Sequence, residues 1–179
     1  MTVTRAELVP HATTPCAAVR GLAASVALTA SGQLSMHYVL RAPLAELLIP
    51  TPGPQRFRDG LWSHSCFEAF IAIDGAPAYR ELNFAPSGEW AAYGFTSLRE
   101  GRARLETVPR FTTRRDAERL ELEALVDLGA LFDRPWSLVR LGLAAVIESA
   151  DGTLSYWALR HPAVRPDFHH RGSFLLSLS

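Results

Sequence analysis

The chain has 179 residues, 48% hydrophobic and 20% charged, the balance of one folded domain spanning residues 1–179 rather than of a disordered segment. Its 18 basic residues, all arginine, match 18 acidic ones, so the formal net charge is zero. That leaves no electrostatic footprint for nucleic acid or an anionic membrane. No apolar run approaches the ~20 residues of a membrane helix, and residues 1–20 lack the basic start and apolar run of a signal peptide. A cytoplasmic location is expected. Cys16 and Cys66 lie far apart, with neither metal-like spacing nor a disulfide framework, and read first as free thiols, with one long-range disulfide as the alternative.

In chain order, the apolar pattern has mostly period two. Residues 25–29 and the row Leu34, Met36, Tyr38, Leu40 read as strands joined by a Ser31-Gly32 turn. Residues 43–48 form a turn or two of helix, and the proline-rich 50–54 a loop. Phe67, Ala69, Ile71 and Ile73 make a core row. The opposite row, Cys66, Glu68, Phe70 and Ala72, is also mostly apolar, so Glu68 sits in a strand buried on both faces and needs a reason to be there. Residues 78–95 read as a hairpin turning at Ala85-Pro86-Ser87-Gly88. A four-residue closure puts Tyr79, Glu81, Asn83 and Trp90 on one face and Leu82, Phe84, Ala91, Tyr93 and Phe95 on the other. Leu120, Leu122, Ala124 and Val126 alternate with polar residues, and 127–132 reads as a short helix capped by Asp127. Residues 138–147 and 154–160 form a second hairpin around Asp151-Gly152. Residues 173–179 alternate again, with Phe174, Leu176 and Leu178 on one side.

Short strands separated by turn signals predict an all-β fold: a two-sheet antiparallel β-sandwich, jelly-roll or immunoglobulin-like, with one or two short helices. No GxSxG, phosphate-loop or dinucleotide fingerprint occurs. His161, His169 and His170, beside Asp167, form the densest histidine group, but adjacent strand histidines face opposite ways, and the group reads first as loop anchors. Glu68, Glu81 and Glu89 could supply a hydrolytic carboxyl pair. Trp62 follows a polar Arg58-Asp59-Gly60 loop, which favours exposure, whereas Trp136 after Pro135 reads as a core plug.

The runs Asp59-Gly60-Leu61-Trp62-Ser63-His64-Ser65-Cys66-Phe67-Glu68-Ala69-Phe70 and Tyr79-Arg80-Glu81-Leu82-Asn83-Phe84-Ala85-Pro86-Ser87-Gly88-Glu89-Trp90-Ala91-Ala92-Tyr93, with Tyr156-Trp157-Ala158-Leu159-Arg160-His161-Pro162 and Pro166-Asp167-Phe168-His169-His170, resemble the bacterial DOMON-like proteins. These are related to family 9 carbohydrate-binding modules. The resemblance covers most of the chain, from about residue 34 onward. It implies a β-sandwich in which a Trp-x-x-Asp-x-x-Glu-x-Phe-like strand borders a sugar site clasped by tryptophans. Trp62, Glu68 and Phe70 match that pattern, while Ser65 stands at the acidic position. Haem-binding relatives use Met and His ligands. Met36 shares the row of Leu34 and Tyr38 and His37 points the other way, so haem is not expected.

The expected function is a non-catalytic binding module for a saccharide or similar polar small molecule. Trp62, Glu68, Glu81, Asn83, Trp90, Trp157, Arg160 and His161 would form its site. No cofactor, metal, nucleic-acid or membrane partner is expected, and the oligomeric state is open. Two alternatives remain: a hydrolytic or metal-dependent enzyme using Glu68 or Glu81 with the C-terminal histidines, and a protein-interaction domain whose mark would be an apolar patch without a pocket.

Overall fold

The computed structural model describes residues 2–133 and 135–179. The strands are β1 (Val3–Pro10), β2 (Gly21–Leu28), β3 (Gln33–Arg41), β4 (Arg56–Phe57), β5 (Cys66–Ile73), β6 (Tyr79–Phe84) and β7 (Glu89–Phe95). They continue with β8 (Ala103–Arg104), β9 (Arg110–Arg115), β10 (Arg119–Asp127), β11 (Val139–Glu148), β12 (Leu154–Ala158) and β13 (Leu176–Leu178). Among the described residues helix is confined to α1 (Leu128–Leu131), where the Asp127 side chain accepts from the Gly129 amide, and to short 3-10 turns such as Leu61–Ser63. Among the described residues no helix is long and apolar enough to cross a membrane.

The fold is all-β, and the expected pair of separate sheets gives way to one curled sheet. Its hydrogen-bonded order is β4-β7-β6-β5-β11-β12-β1-β2-β3-β10-β9, with β8 on β7 and β13 on β11. The reason is β1, a strand whose pattern the alternation did not reveal. Residues Val3 to Leu8 pair with β2, whereas Val9 and Pro10 pair with β12. One strand thus carries the ladder from one half to the other. The two free ends of the path approach across a seam closed by side chains: Gln55 Nε2 donates to the Phe111 carbonyl at 2.7 Å, and the Phe84 and Phe111 rings lie 5.3 Å apart.

Curling places one face of every long strand inside. Leu22 and Val26 of β2, Leu34 to Leu40 of β3 and Leu120, Leu122 and Val126 of β10 meet Phe67, Ile71, Leu82, Phe84, Leu141 and Ile147 from the other half. Each such side chain contributes about 1.5–3 kcal/mol by leaving water. Met36 belongs to this core, and His37 faces outward. Both cysteines are free thiols.

The β5-β6-β7-β11-β12 half has a second apolar layer on its outer face, made of Cys66, Phe70, Tyr79, Ala91, Tyr93, Phe95, Ala144 and Val146 and covered by Leu61, Phe168 and Phe174. Strand β5 is therefore buried on both faces, as its sequence requires. Two details differ from expectation. The 78–95 hairpin pairs Phe84 with Trp90 and Asn83 with Ala91, because Ala85 and Glu89 bond across a three-residue loop ending in Gly88 at φ 95°. That one-residue slip turns Trp90 into the inner core beside Leu82 and Phe84, and brings Ala91, Tyr93 and Phe95 out beside Tyr79, Glu81 and Asn83. Phe174 likewise parts from Leu176 and Leu178: it lies on the outer layer, over Gly142, where a Cβ would come within 2.8 Å of its ring.

Candidate functional site

A cavity of about 340 Å³ opens on this outer face. Its lining carboxyls are Glu68 from β5, Glu81 from β6 and Asp167 from the C-terminal loop. Glu68 and Glu81 lie on one face as a diagonal cross-strand pair, since Glu68 pairs with Asn83 and Phe70 with Glu81. Arg99 and Arg102, between β7 and β8, form the rim with Trp62, and Phe95, Tyr156 and Phe168 supply aromatic wall.

Each rim element is pinned. Trp62, 52% exposed, follows Gly60 at φ 75° and is presented by a 3-10 turn whose Leu61 is buried in the outer layer. Asp59 anchors that turn by accepting from the Tyr93 hydroxyl, from Arg102 at 2.6 Å and from the Gly60 amide. The Tyr93 and Arg102 bonds hold its carboxyl below the usual carboxylate range. Arg102 also stacks over the Tyr93 ring at 4.0 Å. Arg99 occupies the left-handed region at φ 58°, a conformation costly for a side chain. Its guanidinium pairs with Asp167 at 2.7 Å and its amide donates to the Tyr79 hydroxyl.

The polar floor is a short relay. The Tyr79 hydroxyl accepts from the Arg99 amide and shares a hydrogen bond of 2.7 Å with His169 Nδ1. Nε2 lies 3.6 Å from Glu81 Oε2. The other Glu81 oxygen accepts from Asn83 Nδ2 at 2.7 Å. Burial, with Arg99 nearby, pushes His169 down to about 4, so the ring is neutral at pH 7. Glu68 is 3% exposed, and its Oε1 has no hydrogen-bond partner among the described residues. Burial and then the charge of Glu81 push its carboxyl well above the usual range. Burial also raises Glu81.

Of the eight residues expected at a site, the cavity brings together Trp62, Glu68 and Glu81. Asn83 is fully buried behind Glu81 and orients it. Trp90 and Trp157 lie in the inner core, on the opposite face of the sheet, with the Trp157 indole N–H donating to Ser155 Oγ. Arg160 is exposed and does not line the cavity. His161 donates from Nε2 to the Val9 carbonyl and packs edge-on against His11, fastening the C-terminal loop to β1. Arg80 is no counter-ion to Glu68 Oε1; its Nε donates to the Leu131 carbonyl.

The C-terminal histidines therefore do three different jobs. His161 is a loop anchor, His169 a cavity residue, and His170 accepts the Gly172 amide at a 3-10 turn. Among the described residues one group combines ligand atoms within 4.8 Å: His37, Glu121 and Glu123, on the outside of the other half. Arg119 already pairs with Glu121 there at 2.6 Å.

No family model matches the chain, and no curated protein matches it. Solved structures do match it. A "putative carbohydrate-binding protein" from Bacteroides uniformis superposes with a TM-score of 0.73 at 15% identity, covering 97% of this chain and 84% of that one. A family 9 carbohydrate-binding module from Caldicellulosiruptor kristjanssonii, in complex with glucose, gives 0.49 at 10% identity, covering 86% and 74%. At 15% identity the likeness to the Bacteroides uniformis protein is one of fold alone.

Proposed function

We propose that the chain is a binding module for a saccharide or similar polar small molecule, held in the outer-face cavity. One observation carries the reading: an exposed indole, Trp62, stands over a cavity floored by two buried carboxyls, one of them with an unpartnered oxygen. A sugar ring has that two-sided chemistry, with C–H faces for stacking and hydroxyls for carboxyls. The volume is at the lower end of the ~300–1,000 Å³ of small-molecule sites. The description of the Bacteroides uniformis protein points the same way. The test is a calorimetric and NMR titration against a panel of monosaccharides. Saturable binding should shift the Trp62 indole and His169 ring resonances. Trp62→Ala should weaken it about tenfold, or about 1.4 kcal/mol, with the melting temperature unchanged. Failure of every sugar to move those resonances would overturn the reading.

The carboxyl pair with His169 at 3.6 Å from Glu81 also favours a second reading, glycoside hydrolysis. It predicts release of nitrophenol from an aryl glycoside, lost in Glu81→Gln. The binding reading predicts none.

A further inference from the structure

We infer that the ligand of this cavity carries a cationic amine, so that the saccharide class it takes is an amino sugar. The inference rests on the binding-module reading and adds to it the charge of the ligand. The charges around the cavity are almost completely matched, except at its floor. Arg99 is paired with Asp167 at 2.7 Å, and Arg102 with Asp59 at 2.6 Å. Glu68 and Glu81 share one face of the sheet, and neither has an arginine within ion-pair distance among the described residues. The His169 ring that approaches Glu81 at 3.6 Å is no standing cation, because burial and the nearby Arg99 push it down to about 4. The floor thus offers two buried carboxyls with no direct ion pair to an arginine, while the rim charges of Arg102 and Arg99 act on Glu81 from a distance.

The number of donors a ligand must bring follows from the bonds already made. Asn83 occupies Glu81 Oε1, leaving Oε2 with only the 3.6 Å approach of His169, while Glu68 Oε1 is buried without a partner. An ammonium group presents three N–H donors on one centre and a full charge, enough to bridge two carboxyls. A hydroxyl presents one donor and no charge, and leaves one carboxyl unrelieved. The aromatic wall of Trp62, Phe95, Tyr156 and Phe168 is compatible with a cation, which is attracted to ring faces. An acidic sugar would set its own carboxylate against the two floor carboxyls.

The experiment compares glucosamine with glucose, N-acetylglucosamine, glucuronic acid and cyclohexylamine by calorimetry at about pH 7, where the glucosamine amine is largely protonated. The expected result is glucosamine at least about tenfold tighter than glucose or N-acetylglucosamine, glucuronic acid weakest, and cyclohexylamine measurably bound. Glu68→Gln keeps the shape and removes the carboxyl's capacity to ionise against a cation. It should abolish the glucosamine preference while sparing glucose, its fold verified by circular dichroism. Equal affinity for glucose and glucosamine, or a preference that survives in both Glu68→Gln and Glu81→Gln, overturns the inference and leaves the saccharide reading standing. Cyclohexylamine and glucosamine bound alike, with glucose silent, sustains the amine and overturns the saccharide. Silence from all five overturns both.

Discussion

At the scale of single residues, Glu68 and His169 tie stability to pH with opposite signs. Glu68 titrates higher folded than the ~4.3 of an unfolded chain, because burial and Glu81 disfavour its charge. The native state therefore holds a proton that the unfolded state has lost, and stability falls as pH rises from about 4.3 through the folded value. His169 titrates near 4 when folded, against about 6.5 unfolded, so its contribution is present above about 6.5 and is lost as pH falls toward 4. The unfolding free energy of Glu68→Gln from urea titration should rise relative to wild type on the alkaline side, by on the order of 1 kcal/mol, with little change near pH 4. A ring titration of His169 by NMR should place its midpoint near 4. Glu68 was legible in the sequence because a charge in a doubly apolar strand is conspicuous. His169 was legible only as one of a cluster. Arg99 and Asp167, 68 residues apart, carry no local signal that they meet.

At the scale of elements, the β7–β8 connection positions both rim arginines, and its geometry rests on Gly101. With φ at 62° and a Cβ that would fall 2.4 Å from Thr96 Oγ1, Gly101→Ala must distort that turn. The expected cost is about 1–2 kcal/mol in thermal or urea unfolding. Loss of binding by any ligand of the proposed site should exceed what the stability change explains, because Arg99 and Arg102 move. Hairpins also mark where sequence reading stops. The two turn glycines Gly32 and Gly152 announced their hairpins correctly, and both have positive φ. The 78–95 hairpin was equally visible, but its loop closes on Ala85 and Glu89, one residue away from the simplest closure. Alternation amplifies such a slip into a full exchange of faces, which is why Trp90 looked like a site residue and is a core residue.

At the scale of the whole molecule, β1 makes one cooperative body out of two half-sheets. Its inward Leu8 is 3% exposed in the core shared by both halves. Leu8→Ala should cost about 2–5 kcal/mol and lower the unfolding midpoint of both halves together, as amide exchange in β3 and β5 would report. A molecule of two independent sheets would lose only one. The pairings that define the body are remote in sequence: β3 with β10, β5 with β11. Folding is accordingly expected in the millisecond-to-second range. The four tryptophans are divided unequally over this body. Trp90 and Trp157 are buried within the core, Trp136 is half-buried against it, and Trp62 stands in solvent at the cavity mouth. The protein therefore carries its own optical probe. Acrylamide should quench a red-shifted emission component belonging mainly to Trp62, and an occupant of the cavity should shield that component while leaving the blue emission of the core untouched.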